Sequence, residues 1–309
     1  MLQQTRVPTA IPYYRRFLEN FPTVRHLAKA DLSSVLKIWE GLGYYTRARN
    51  LHRAAQFILN HFGGRVPDNP EDLLSLPGIG RYTAGAILSI AHNKDAPILD
   101  GNVKRVLSRI FAVSGDPRQT ETESLLWSLS ESLVPTGHAS AFNQGLMDLG
   151  SIICTPRDPR CPECPLGSLC KGKASGNPEQ YPSKMTRKAI PRIVAVAALI
   201  RKGGRVLLRQ RPPRGLLGGL WEFPNWKAEG QNNLKRALKS CLKKEMDLVA
   251  QVDGVAGTFH QTFSHFKLTL HFYPCHVVSG SAKGKWVLIK DLPLFPMSRI
   301  HRRIAQSLE

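Results

Sequence analysis

The chain has 309 residues, 42% of them hydrophobic, enough to bury a core in each of two domains and too apolar for a disordered polymer. Its net charge is +20, from 43 basic and 23 acidic side chains, and residues 190–309 alone carry 20 basic against 7 acidic groups. Such an excess points to a polyanionic partner such as nucleic acid, and the longest apolar run, Ile193–Ile200, is too short to span a bilayer. The N-terminus is amphipathic rather than a charged segment followed by an apolar one, so no secretory signal is read and a cytoplasmic, nucleoid-associated location is expected.

Residues 1–153 read as helices. Val103, Val106, Leu107 and Ile110 repeat at i, i+3, i+4, i+7, as do Ala84, Ile87, Leu88 and Ala91, and Phe142, Leu146, Leu149 and Ile152 follow the same period. Leu76-Pro77-Gly78-Ile79-Gly80-Arg81-Tyr82 is a glycine turn feeding a helix. Gly78 and Gly80 let a phosphate approach the backbone, and the helix start offers free amides to an anion. By itself the turn fits any connection between two helices. Asp100 stands before Gly101-Asn102-Val103-Lys104-Arg105, where a carboxylate can cap a helix. It can equally stabilise positive charge on a sugar whose N-glycosidic bond is breaking.

Four cysteines follow, Cys154-x6-Cys161-x2-Cys164-x5-Cys170. Without a secretory context such density means metal rather than disulfides, either zinc or an iron–sulfur cube. Residues 171–191 lack periodicity, are rich in Lys, Ser, Gly and Pro, and read as a linker. Beyond it the period changes. Ile193–Ile200 and Arg205–Leu208 read as strands joined across Lys202-Gly203-Gly204, Phe266–Pro274 and Lys285–Ile289 as further strands, and Asn232–Lys244 as one basic helix. The second domain is therefore α+β.

The cysteine spacing resembles the [4Fe-4S] loop of the endonuclease III and MutY DNA glycosylases. Taken with the hairpin, Leu99–Arg105, Phe142–Gly150, Gly41–Arg49 and Met1–Thr5, it makes nearly the whole chain resemble the adenine DNA glycosylase (MutY) family. The resemblance implies a mainly α helix-hairpin-helix glycosylase domain over 1–153, an iron–sulfur loop over 154–170, the linker 171–191, and a Nudix-like lesion-recognition domain over 192–309. It implies a monomer on double-stranded DNA that releases adenine mispaired with 8-oxoguanine, with Cys154, Cys161, Cys164 and Cys170 holding a [4Fe-4S] cluster.

The same comparison assigns the reacting centre to Asp100, supported by Tyr82 and Asn102, and places Leu2, Gln3, Gln4 and Tyr44 near the mispair. His260–Phe266 matches the loop that inspects 8-oxoguanine, where Phe263 wedges or stacks and Ser264 and His265 offer hydrogen bonds. Tyr82 stands where relatives that cleave the strand carry a lysine, so no Schiff base is expected. Gly215–Pro224 matches the strand-entry segment of Nudix domains. The helix that should carry paired glutamates for Mg²⁺ instead reads Arg236-Ala237-Leu238-Lys239-Ser240-Cys241-Leu242-Lys243, so nucleotide hydrolysis is not expected. In the family the acid that protonates adenine is a glutamate two residues before the Met-Leu-Gln-Gln segment; this sequence opens at Met1 and does not contain it. Glu19 and Glu40 sit in no motif that would replace it. The sequence as it stands is thus expected to recognise the lesion better than it cuts, with a catalytically impaired lesion-binding protein of the same fold as the alternative.

Overall fold

The computed structural model describes residues 1–183, 189–228, 230–231 and 233–308. The chain forms two compact units, Met1–Leu59 with Lys188–Glu309, and Asn60–Arg187. This division departs from the one expected from the motifs, because the first 59 residues share a core with the sheet. Leu220, which follows strand-entry glycines, is 1% exposed in a cluster with Leu36, Trp39 and Ala48. Arg49 Nη1 donates to Gly218 O at 3.0 Å, Tyr45 Oη to Met297 O at 3.3 Å, and Arg302 Nε to Glu40 Oε1 at 2.7 Å.

Among the described residues of this first unit eight strands make one sheet: β1 (Arg192–Lys202), β2 (Arg205–Gln210), β3 (Trp221–Glu222), β4 (Asn225–Lys227), β5 (Leu248–Val252), β6 (Gly257–Thr262), β7 (Lys267–Gly280) and β8 (Lys285–Leu288). The main path runs β3-β2-β1-β7-β5; β1 and β7 are parallel and the other pairs antiparallel. The expected β1–β2 hairpin forms, with Gly203 (φ 54°) and Gly204 (φ 69°) at the turn and Lys202 opposite Arg205. Strand β1 is apolar without alternation because both faces are covered. Ala195, Ala197 and Leu199 pack on one side with helix Arg299–Gln306, and Val196, Ala198 and Ile200 on the other with helix Leu234–Met246. That second helix starts later than its basic composition suggested, since Asn233 Oδ1 accepts from Arg236 N at 3.0 Å and caps it; Asn232 lies outside the described residues.

The second unit is helical. Helix Gly101–Ile110 buries Val103, Val106 and Leu107 as expected. The other two apolar periods run true only part-way. Ile87–Ala91 and Leu149–Ile153 are π-helical turns, whose extra residue per turn rotates Ala91 and Ile152 out of the apolar face, leaving Ile152 56% exposed. The stretch read as a linker is also more ordered than its composition implies. Lys171–Ala174 is a helical turn, and Tyr181 O accepts from Arg109 Nε at 3.2 Å; residues 184–188 lie outside the described residues. Among the described residues no helix is long and apolar enough to cross a membrane.

Candidate active site and thiolate centre

Asp100 lies in extended backbone (φ −88°, ψ −177°) just ahead of helix Gly101–Ile110. Its Oδ1 accepts from Asn102 N at 2.9 Å and Val103 N at 2.7 Å, so the N-cap reading of this residue is correct. Both capping bonds fall on one oxygen, and among the described residues Oδ2 makes no hydrogen bond. The capped helix presents its positive end beneath the carboxylate. Tyr82 lies in the field of that carboxylate. Burial first, and then the Asp100 charge, push its phenol above the ordinary value of 10.0, so it stays neutral. Its Oη points at Met147 Sδ, 3.8 Å away.

The hairpin reaches the same place through close backbone packing. Gly78 adopts φ 83°, which only glycine tolerates readily. The helix that follows it, Arg81–Ala86, lies so near the segment before Asp100 that a Cβ on Gly85 would stand 2.1 Å from Pro97 O. Among the described residues, its own chain neighbours aside, no atom lies within 4 Å of where a Cβ of Gly80 would stand, which leaves that backbone open to an approaching group. Arg81 stacks over Trp127 at 4.0 Å and pairs with Glu131. Asn143 Nδ2 ties Ala96 O at 2.8 Å and Ser130 Oγ ties Ile98 O at 2.7 Å, fixing the run into Asp100 from below.

Asn102 is held rather than free. Its Oδ1 accepts from Arg105 Nη2 at 2.9 Å, and its Cβ would stand 2.7 Å from a Cβ on Gly150. Arg105 also donates to Gly150 O at 2.5 Å and to Cys154 O at 2.7 Å. One turn on, Arg109 is 2% exposed; its Nη1 donates to Cys154 Sγ at 3.3 Å and to Thr155 O at 2.7 Å. These two arginines are site-supporting residues that sequence reasoning missed. Their spacing at i, i+4 on the Asp100 helix was the available signal.

All four cysteines line one apolar cavity, together with Val106, Leu149 and Leu166. Burial, and then the neighbouring thiols Cys154, Cys170 and Cys164, push Cys161 above its ordinary 9.0. Donors converge on the sulfurs: Arg109 on Cys154, and Lys173 N on Cys170 Sγ at 3.4 Å. Four thiols lining one apolar cavity, with hydrogen bonds to two of the sulfurs, fit a thiolate-bound cluster. Among the described residues, no three His, Cys, Asp or Glu side chains are grouped so as to hold a single metal ion.

The remaining predicted residues belong to the first unit. Leu2 is 59% and Tyr44 49% exposed, so neither is ordinary core packing. Arg47 organises the segment before them. It donates to Met1 O at 2.7 Å, to Gln3 O, and to Thr5 Oγ1 at 3.0 Å, while lying over the Tyr44 ring at 5.4 Å. Gln4 (φ 57°) and Tyr44 (φ 49°) both sit in the left-handed region, a strained conformation of the kind that clusters at functional sites. The expected loop is shorter than its motif. His260, Gln261 and Thr262 end strand β6, and only Phe263–Phe266 turn, closed by Phe263 N to Phe266 O at 2.8 Å. The Phe263 ring stacks on Phe266 at 4.5 Å, and Ser264 Oγ meets His265 Nδ1 at 3.2 Å, both exposed.

Comparison with known proteins defines the class first. Residues 1–132 match the family model described as HhH-GPD superfamily base excision DNA repair protein, and residues 195–307 the one described as NUDIX domain. The adenine DNA glycosylase of Buchnera aphidicola subsp. Acyrthosiphon pisum is 39% identical over 274 residues, covering 89% of this chain and 76% of that protein. That of Homo sapiens is 37% identical, covering 88% of this chain and 59% of the human protein. A thermostable thymine-DNA glycosylase of known structure aligns at 34% identity with a TM-score of 0.52, covering 56% of this chain and 80% of the other. An endonuclease III bound non-covalently to DNA shares the fold at 24% identity and a TM-score of 0.50. The chain belongs to the adenine DNA glycosylase family.

Proposed function

We propose that this protein binds duplex DNA as a monomer and hydrolyses the N-glycosidic bond of adenine paired with 8-oxoguanine. The observation that carries the reading is the arrangement at Asp100: a carboxylate with one oxygen bound to its own helix and the other unbonded, beside a neutral phenol and a glycine hairpin with open backbone. Departure of adenine leaves positive charge on the sugar, and the Asp100 charge stabilises it on the side away from the leaving base. Tyr82 has no amine to attack the sugar, so the product is an intact abasic strand. The hairpin amides around Gly78 and Gly80 grip a phosphate without reading sequence. Leu2, Gln3, Gln4 and Tyr44 occupy the mispair, and Phe263, Ser264 and His265 read the oxidised base.

Cys154, Cys161, Cys164 and Cys170 hold a [4Fe-4S] cluster, which would supply a structural tie between the chain around Cys154 and that around Cys170. Arg109 and the Lys173 amide hold the flanking sulfurs in place, and Arg105 fastens the chain at Cys154 to the helix that Asp100 caps.

The reading is tested by purifying the chain without oxygen and measuring iron, then titrating it into duplexes with adenine opposite 8-oxoguanine, adenine opposite guanine, and a matched pair. About four irons per chain and affinity falling in that order are expected. Stoichiometric zinc, or equal affinity for the three duplexes, contradicts it.

A further inference from the structure

Strands β6 and β7 carry a pair of histidines that the excision reading does not use. The two strands are antiparallel, with Thr258 opposite His271 and His260 opposite Thr269. His260 and His271 are therefore diagonal neighbours on one face of the sheet, each within reach of the other's side chain. The opposite face is the buried one, where Phe259 packs on Phe272 at 5.6 Å beside Leu270. The histidine face is open: Thr258 and His260 are exposed, and Thr269 and His271 are half-buried.

Three observations point to a metal between them. Each ring is fixed by the threonine opposite it: Thr269 Oγ1 lies 3.1 Å from His260 Nδ1, and Thr258 Oγ1 lies 2.9 Å from His271 Nδ1. A hydroxyl that accepts from Nδ1–H sets the tautomer in which Nε2 holds the lone pair, as the outer partners of metal-bound imidazoles do. Neither Nε2 has a hydrogen-bond partner among the described residues, although each Nδ1 has one. The rings also sense each other. Burial first, and then the neighbouring His260, hold His271 below its ordinary 6.5. Two neutral imidazoles suit zinc, copper or nickel, whereas hard cations take oxygen ligands.

We propose that His260 and His271 bind one divalent transition-metal ion, of the zinc, copper and nickel class, through their Nε2 atoms. Among the described residues no third His, Cys, Asp or Glu joins them, so water fills the remaining positions. The ion ties β6 to β7 beside the turn Phe263–Phe266 that connects them. A metal that binds only the paired strands stabilises them by mass action and slows their local opening. Its role is structural, and the site is separate from the four clustered cysteines, which belong to the other unit.

The test is titration of the full chain, purified without oxygen, with Zn²⁺ and separately with Co²⁺, for the native sequence, His260→Gln, His271→Gln and the double variant. Both rings lie on the open face, so every variant should keep the melting temperature measured without added metal. The native chain should bind Zn²⁺ saturably, melt at a higher temperature with it, and exchange the amides of residues 257–272 more slowly. Losing an outer partner of a metal-bound His costs roughly 10–100-fold in affinity, so losing either ring should cost at least about tenfold. The double variant should bind no more weakly than the weaker single one, because one ring alone no longer chelates. Zn²⁺ affinity unchanged in either single variant, losses that add in the double variant, or a Co²⁺ spectrum dominated by thiolate absorption and unaltered by the substitutions overturns the proposal. None of these measurements uses DNA, so failure here is distinguishable from failure of the excision reading.

Discussion

In the proposed function, two roles of Asp100 fall to different oxygens. Oδ1 receives the amides of Asn102 and Val103, and Oδ2, which makes no hydrogen bond among the described residues, is proposed to face the sugar. An asparagine keeps an oxygen for the amides, and the two residues cap helices about equally well. Asp100→Asn should therefore change unfolding free energy by less than about 0.5 kcal/mol, while Asp100→Ala costs about 1 kcal/mol in denaturant melts. Both should lose adenine release by at least about 100-fold, because a neutral side chain cannot offset the developing charge. Equal destabilisation by the two variants would mean the cap is not what holds Asp100. At this scale the sequence was readable where a residue acts alone. Asp100 as cap and Gly78 as a turn residue both follow from local rules. Arg105, Arg109 and Arg47 were not: the i, i+4 spacing of the first two was visible, but the backbone carbonyls that these arginines bind lie far along the chain, which no local pattern records.

Among the elements, helix Gly101–Ile110 bears most of the site, with Asp100 at its start and Arg105 and Arg109 on the cysteine chain. Its position depends on how closely it meets the π-helical turn before Cys154. A Cβ on Gly150 would stand 2.7 Å from Asn102 Cβ and 3.3 Å from Asn102 backbone, so one of the two must move. Gly150→Ala should destabilise the protein by roughly 1–3 kcal/mol. It should also lower adenine release more than a change of equal stability elsewhere, since Asn102 N is one of the two amides on Asp100. Circular-dichroism melting and a release assay on the same preparation decide this; a variant that melts like the native chain argues that the contact is loose. The π turns also mark where periodicity misled. A helix repeat of 3.6 forecasts Ile152 and Ala91 inside, and one widened turn puts each outside. Strand β1 was legible for the opposite reason: both faces are covered, so its apolar run needs no phase.

For the whole molecule, motif boundaries and compact units differ. The sequence changes character near residue 190, which suggests that the helical part could stand without the sheet. Yet residues 1–59 lean on Leu220, on Gly218 O through Arg49, and on Arg302 through Glu40. Burying a leucine contributes about 2 kcal/mol, and Leu220 is lost with the sheet. A chain ending at Ser183 should thus be cut faster than the full chain within residues 1–59 in limited proteolysis. It should also lose the preference for 8-oxoguanine over guanine opposite adenine. Unchanged cleavage of that segment, read by mass spectrometry, would show that it folds with the helices alone.

The central claim is that Asp100 serves excision of adenine from a lesion pair by a centre that does not cut the strand. Single-turnover release of free adenine from duplex bearing adenine opposite 8-oxoguanine tests it most directly. The assay compares this chain with its Asp100→Asn form. Adenine release by this chain, at least about 100-fold slower release by the Asp100→Asn form, and a strand that breaks only when heated in base are expected. Release by the Asp100→Asn form at the native rate, or strand scission without base, would contradict it.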